Sequence, residues 1–268
     1  MADPGTVQIL INNEKAGIYD FTEQDKVVLR EMLDEINALD EFKNKDRKVE
    51  YLSQALDEYP WFCGPVIVKY IERFDSEMAR AYISRFLMEP HVNYINKKDL
   101  GAYYFKLYTH FKEAIEKGTR YSPTNLYFIA NLYDNLLSKT ITKAVALEVV
   151  KLIDDPVEYY SLFYTTKRIA QKWKLPEIER MAYACLTTYP LNEETLHINT
   201  LNRLFLPFDM VINSIKGLSI RCLSNYPSKK NEEILMKYCT CGEKRKEELA
   251  TKHLALLRKN AEKKGIEL

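Results

Sequence analysis

Apolar residues recur along most of the chain at intervals of three and four positions. This spacing places them on one side of a helix. Between residues 22 and 263 the pattern predicts helices at 22–39, 46–58, 61–74, 76–88, 97–117, 124–138, 142–153, 157–173, 176–188, 193–205, 208–224, 229–239 and 243–263. Because short loops between successive helices make neighbours antiparallel, the pattern predicts an all-α fold of helix pairs.

The first 21 residues follow a different pattern. Val7, Ile9 and Ile11 alternate with other residues, and a polar stretch and Gly17 follow them. Alternation of this kind is typical of extended chain. We therefore expect residues 1–21 to form a short extended arm or a small hairpin.

Several predicted helices are preceded by residues that commonly cap a helix. Thr22 stands before the first helix, with Asp25 three residues later. Ser76, Asp155 and Ser228 occupy similar positions before later helices. Such side chains accept hydrogen bonds from the free amides of the first turn, so they indicate where these helices begin.

Six of the ten prolines recur at a nearly constant interval. The intervals between them are 30, 33, 33, 34 and 37 residues, and the prolines stand at 60, 90, 123, 156, 190 and 227. A fixed period in this range is typical of stacked structural repeats. Proline cannot continue a helix, so we expect it to separate one helix pair from the next.

Three of these prolines end the same short motif. A small residue, Leu, two further residues, Tyr and Pro occur in that order at 55–60, 185–190 and 222–227. The motif resembles the close of a tetratricopeptide-type repeat, and Ala144 matches a further small-residue position of such a unit. The family's Trp-x-x-Leu-Gly-x-x-Tyr pattern is missing from every first helix.

The resemblance implies a short α-solenoid of tandem antiparallel helix pairs, tetratricopeptide-like or HEAT-like. Residues 22–240 would form the repeat domain. Residues 241–268 would form a C-terminal capping helix, apolar inward and polar outward, as stacked repeats need at their ends.

Charge adds little at the level of the whole chain and more at its two ends. The net charge is +1, from 39 basic and 38 acidic residues, without the basic excess of most nucleic-acid binders. Residues 1–60 carry seven basic and fourteen acidic residues, whereas 227–268 carry eleven basic and seven acidic. The ends are either solvated surfaces or complementary sites for head-to-tail self-association.

Cysteine usage and hydropathy point to the cytoplasm. The five cysteines do not form an even set of pairs, and no apolar secretion segment occurs near Met1. No stretch reaches the roughly 18 apolar residues that a membrane span requires. We expect a cytoplasmic protein without a membrane span.

Motifs for catalysis or cofactor binding are not found in the sequence. The eight glycines are too far apart for a phosphate-binding loop, and we expect no cofactor. Cys239 and Cys241, with His253, supply three candidate metal ligands at an unconventional spacing, whereas zinc requires four. A helix end closed by Gly242 explains these cysteines better, so we expect no metal site.

Aromatic residues are the more unusual feature, with 19 Tyr and 11 Phe. They either pack between helices or line a groove that binds a peptide. In tetratricopeptide-like stacks the first helix of each pair lines the concave face. The proline register and the aromatic clusters then give as candidate partner-binding residues Tyr160, Phe163, Lys167, Arg168, Tyr133, Tyr104 and Tyr108.

The sequence favours a protein–protein interaction module, an adaptor, scaffold or regulatory subunit that binds a partner peptide or helix on its concave face. One alternative is an enzyme or enzyme subunit whose groove site has no local motif. Another is an RNA-binding helical repeat, although nucleic acid is the less expected partner. Enzymatic activity is left open, with the balance against it.

Overall fold

The computed structural model of the chain describes residues 22–40, 60–84, 97–121, 123–192 and 208–268. Every regular element in these ranges is a helix, and no described residue lies in a strand. The prediction of an all-α fold is confirmed at this level. The predicted arm at 1–21 and the predicted helices at 46–58 and 193–205 lie outside the described residues.

The described ranges contain twelve helices: α1 (Glu23–Asn37), α2 (Pro60–Ile71), α3 (Glu77–Ser84), α4 (Lys97–Glu116), α5 (Pro123–Thr140), α6 (Lys143–Leu152), α7 (Pro156–Ser161), α8 (Phe163–Lys172), α9 (Pro176–Thr187), α10 (Phe208–Leu223), α11 (Lys229–Tyr238) and α12 (Lys244–Glu262). The prediction of one helix over 157–173 is wrong, because α7 and α8 meet at a break. None of these helices is both long and apolar enough to cross a membrane.

The predicted caps at four helix starts are confirmed. Thr22 and Asp25 form a reciprocal capping box at the start of α1. The side chains of Ser76, Asp155 and Ser228 accept hydrogen bonds from first-turn amides of α3, α7 and α11. Local sequence therefore determines where these helices begin.

Among the described prolines of the repeat period, three begin a helix and two follow the end of one. Helices α2, α5 and α7 begin at Pro60, Pro123 and Pro156. Pro190 and Pro227 instead follow the ends of α9 and α10. Proline is well tolerated in the first turn, where its missing amide hydrogen would have no helical partner.

The chain divides into two compact units, Met1–Leu136 and Leu137–Leu268. In the first unit α1 packs against α2, and α2 against α3. Polar contacts join α1 and α2 as well, because the Glu35 carboxylate accepts hydrogen bonds from Lys69 Nζ at 2.6 Å and from the Tyr70 hydroxyl at 2.7 Å.

Tyrosines form much of the interior of the first unit. Tyr104 donates its hydroxyl proton to the Ser84 carbonyl at 2.9 Å, and Tyr133 donates to Oε1 of the buried Glu77 at 2.8 Å. Phe111 packs edge-on to Tyr133 with ring centroids 6.0 Å apart. The hydroxyls of Tyr104 and Tyr133 each have a partner, so these two rings are buried without an unpaired polar atom.

Helix α10 is central to the second unit. It packs against α7, α8, α9 and α12, while α11 packs against α12. Its inner face contributes Ile215, Leu218, Cys222 and Leu223, all fully buried. The opposite edge of α10 remains accessible and forms part of the site described below.

Candidate functional site

The break between α7 and α8 occurs at Leu162. The backbone of this residue has φ −102° and ψ 44°, outside the helical range. Thr166 Oγ1 donates a hydrogen bond to the Tyr159 carbonyl at 3.3 Å. In a continuous helix that carbonyl would accept from the amide of Phe163, so a threonine side chain competes with the helix at this point.

The break orients a group of aromatic rings. Tyr160 at the end of α7 and Phe163 at the start of α8 pack edge to face, with centroids 6.2 Å apart and planes at 87°. Phe163 also meets Tyr164 at 5.3 Å and 79°. Two rings that pack edge to face restrict each other's motion, so the rings of Tyr160 and Phe163 form a rigid surface.

That surface is one wall of a groove in the second unit with a volume of about 550 Å³. We call it the unit 2 groove. Its walls come from α7, α8, α10 and α12, together with the residue before α12. The lining residues are Tyr160, Phe163, Met210, Asn213, Ser214, Gly217, Arg221, Glu243, Arg245, Lys246 and Leu249.

One face of α10 supplies five of these residues. They are spaced three and four positions apart, at Met210, Asn213, Ser214, Gly217 and Arg221. This spacing places them on one side of the helix. Met210 is 51% exposed, the largest value among the exposed large apolar side chains of the described residues.

Gly217 gives the groove its depth at the middle of that face. A Cβ atom there would lie 3.1 Å from Arg221 Nη1 and 3.7 Å from Leu249 Cδ2. The guanidinium of Arg221 folds back and donates to the Gly217 carbonyl at 2.9 Å. Glycine within a helix costs about 1 kcal/mol relative to alanine, and here it allows Arg221 and Leu249 to approach the backbone.

Positive charge borders the groove. Arg221 and Arg245 have no carboxylate partner among the described residues, whereas Lys246 pairs with Glu243 at 2.6 Å. Lys167 on α8 is half-buried and also has no carboxylate partner in the described part of the chain. The groove therefore has both apolar walls and unpaired cations.

The effect of this charge is evident in the neighbouring titratable groups. Burial, and then the charges of Arg221, Lys252 and Lys167, lower the pKa of His253 to about 4. Burial raises the pKa of the Cys222 thiol to about 12, although the nearby Tyr159 and the charges of Arg221 and Lys167 oppose the rise. Lys167 and Arg221 thus both influence the pKa of His253 and of Cys222.

The structure divides the candidate residues into two sets. Tyr160 and Phe163 line the unit 2 groove, Lys167 is half-buried near it, and Arg168 is exposed without being part of the lining. The second set consists of fully buried side chains of the first unit, at Tyr104, Tyr108 and Tyr133. These three belong to the interior, where a partner on the surface does not contact them.

None of the other residues that line the groove was predicted from the sequence as a partner-binding residue. The side of α10 that lines the groove is only weakly apolar. A search of the sequence for continuous apolar helix faces therefore does not detect it. An isolated glycine inside a helical pattern, as at Gly217, is the signal that could have indicated a close approach.

Two other candidate sites, the cysteines near the start of α12 and a cavity in the first unit, offer fewer groups that could bind a ligand. Among the described residues, no three His, Cys, Asp or Glu side chains are grouped so as to hold a metal ion, and this includes Cys239, Cys241 and His253. A cavity of about 240 Å³ in the first unit is lined by Arg80, Lys106 and His110 among others. Its two permanent cations pair with Glu77 and Glu72.

No family model, curated protein or solved structure matches the chain. Its function is therefore inferred from the unit 2 groove and the side chains that line it.

Proposed function

We propose that the chain is a protein–protein interaction module, an adaptor, scaffold or regulatory subunit, that binds a segment of a partner protein in the unit 2 groove. The observation that carries this proposal is the gathering of accessible apolar side chains, Tyr160, Phe163, Met210 and Leu249, around one concavity. Aromatic and methionine side chains are enriched at the centres of protein interfaces.

Polar groups placed between the apolar ones fit a peptide ligand. Asn213 and Ser214 lie between Met210 and Gly217 on α10. Their side chains can donate to and accept from the backbone amides of a bound segment, which would otherwise lose their hydrogen bonds to water.

A tetratricopeptide-like stack of helix pairs is the architecture that we propose for this module. Two repeats of the ending motif support it, because Cys185 and Cys222 hold the same motif position and both are buried. Ala144 argues against a close match, since it is exposed. The small-residue packing that the resemblance implies does not occur at that position.

An enzymatic role has weaker support from this groove. Its lining contains one carboxylate, Glu243, which pairs with Lys246, and no histidine or cysteine. General acid–base catalysis needs a group that is free to exchange a proton with the substrate. These side chains are therefore better suited to binding a partner protein than to catalysis.

The experiment that tests the proposal compares affinity purifications from the source cell, with mass spectrometry of the proteins that co-purify. Met210→Asp places a charge in the groove. Met236→Asp is the matched control, because Met236 is 44% exposed on α11 and does not line the groove. We expect the wild type and the control to retain a common set of partners and Met210→Asp to lose it.

Retention of the same partners by Met210→Asp would contradict the proposal, provided that circular dichroism shows both variants folded. Absence of any partner from the wild-type purification at physiological salt would also contradict it. A less disruptive variant, Met210→Ala, guards against local unfolding and is expected to weaken the association without abolishing it.

A further inference from the structure

The cations at the groove are distributed and not concentrated at one point. The two arginines of the lining come from different helices, Arg221 from α10 and Arg245 from α12, while Lys167 on α8 lies outside the lining. None of them has a carboxylate partner among the residues that the structure describes. The single acidic lining residue, Glu243, is already engaged by Lys246 at 2.6 Å.

Unpaired arginines beside apolar walls favour a ligand that is both acidic and apolar. Arginine binds carboxylates through two parallel hydrogen bonds, and such bonds are stronger where apolar surroundings exclude water. Charge complementarity across an interface also selects among partners and raises the rate of encounter.

The apolar lining favours a peptide over a nucleic acid. Nucleic-acid bases bind by stacking on flat faces beside clustered cations. Met210 and Leu249 are aliphatic, and Tyr160 and Phe163 pack edge to face against each other instead of forming a stacking platform. These side chains are better suited to enclose one bulky side chain of a peptide.

We infer, building on the proposed function, that the occupant of the unit 2 groove is an acidic peptide segment in which Asp or Glu residues flank a bulky apolar side chain. The apolar side chain packs among Phe163, Met210 and Leu249. The flanking carboxylates pair with Arg221 and Arg245.

The test is a selection of random dodecapeptides displayed on phage against the folded full-length protein. The same library is selected against Arg245→Glu, which reverses one charge of the groove. Lys244→Glu is the matched control, because Lys244 is the adjacent exposed residue of α12, carries the same charge and does not line the groove. Individual peptides are then measured by fluorescence anisotropy at physiological salt.

We expect wild type and Lys244→Glu to select peptides with an apolar residue between acidic ones. Arg245→Glu should bind these peptides about tenfold more weakly and select sequences with fewer acidic residues. The inference is overturned if the selected peptides carry no acidic excess, or if Arg245→Glu binds them as tightly as Lys244→Glu does.

Failure of the inference and failure of the proposed function are distinguishable by Met210→Asp. Peptides that lose affinity for Met210→Asp but are insensitive to Arg245→Glu would leave the groove as the binding site and overturn only the acidic partner. Peptides that bind Met210→Asp unchanged would overturn both.

Labelled oligouridylate is the final probe. If it binds at physiological salt, loses affinity for Arg245→Glu, and no acidic peptide is selected, the groove is a nucleic-acid site and the inference is wrong. If it fails to bind at physiological salt, the peptide assignment is supported.

Discussion

The carboxylate of Asp25, in the first unit, has no exposure to solvent. One oxygen accepts from the Thr22 amide at 2.9 Å within the capping box of α1. The other accepts from the amides of Asp75 and Ser76 at 2.7 and 3.2 Å, at the start of α3. The same side chain therefore caps one helix and fixes the loop that leads into another.

Replacing Asp25 by Ala should destabilise the protein strongly. Three backbone donors lose their acceptor, and we expect the free energy of unfolding to fall by about 3 kcal/mol. Urea denaturation followed by circular dichroism measures this change. The control is Asp209→Ala, which removes an exposed first-turn aspartate of α10. Equal losses in the two variants would show that Asp25 does not join the helices.

His253 predicts a dependence of stability on pH. Burial and three nearby cations lower its pKa to about 4 in the folded protein, below the ordinary value of 6.5. Its Nδ1 lies 2.9 Å from Ser224 Oγ, which itself donates to the Arg221 carbonyl. Ser224 has one hydroxyl hydrogen, so when it donates to that carbonyl, a neutral His253 donates to Ser224 Oγ from Nδ1.

The unfolded chain takes up a proton on His253 as the pH falls below about 6.5, whereas the folded protein takes it up only near pH 4. Stability is therefore lost as the pH falls through this window. His253→Gln should lose less thermal stability than the wild type between about pH 7 and about pH 5. Parallel curves for the wild type and His253→Gln would contradict the account.

At the scale of elements, the sequence was most informative where a local rule determines the outcome. Capping side chains and apolar spacing predicted the ends of most described helices to within three residues. The break at Leu162 was missed, because it depends on a hydrogen bond from Thr166 to the Tyr159 carbonyl. The spacing of apolar residues alone does not distinguish one continuous helix from two short consecutive helices.

The repeated Leu-x-x-Tyr-Pro ending has different contacts at its two described positions. Tyr226 is buried and donates its hydroxyl proton to the Leu175 carbonyl at 2.8 Å, just before α9 begins. Tyr189 holds the same motif position but is half-buried. At Tyr226 the tyrosine of the motif therefore joins the end of α10 to the residue before α9.

Tyr226→Phe removes this hydrogen bond and leaves the Leu175 carbonyl without the hydroxyl. We expect a loss of about 1 kcal/mol in the free energy of unfolding. Tyr189→Phe is the matched control and should change stability by less. Chemical denaturation of both variants measures the difference, and a larger loss in Tyr189→Phe would refute the role given to Tyr226.

At the scale of the whole molecule, the net charge does not show where positive charge is concentrated on the surface. The net charge of +1 argues against a general affinity for nucleic acid. The groove nevertheless gathers Arg221 and Arg245, neither of which has a carboxylate partner among the described residues, because the fold brings together two helices that are separate in the sequence. Head-to-tail self-association through the acidic and basic ends stays a prediction, as does a cytoplasmic location.

The candidate site was only partly predictable for the same reason. Tyr160 and Phe163 followed from the proline register, since they lie within one repeat unit. Met210 and Leu249 come from other parts of the chain, and only the packing of α10 against α8 and α12 brings them together. The same proline register also selected Tyr133 as a partner-binding residue, but its side chain is fully buried in the core.

Photo-crosslinking from within the groove tests the central claim most directly. Benzoylphenylalanine replaces Phe163 in one variant and Leu147, an exposed residue of α6 outside the groove, in the other. After irradiation in the source cell, we predict a protein adduct from position 163 that position 147 does not give and that Met210→Asp abolishes. The same adducts from both positions, or adducts that persist with Met210→Asp, would contradict the assignment of the unit 2 groove as the binding site.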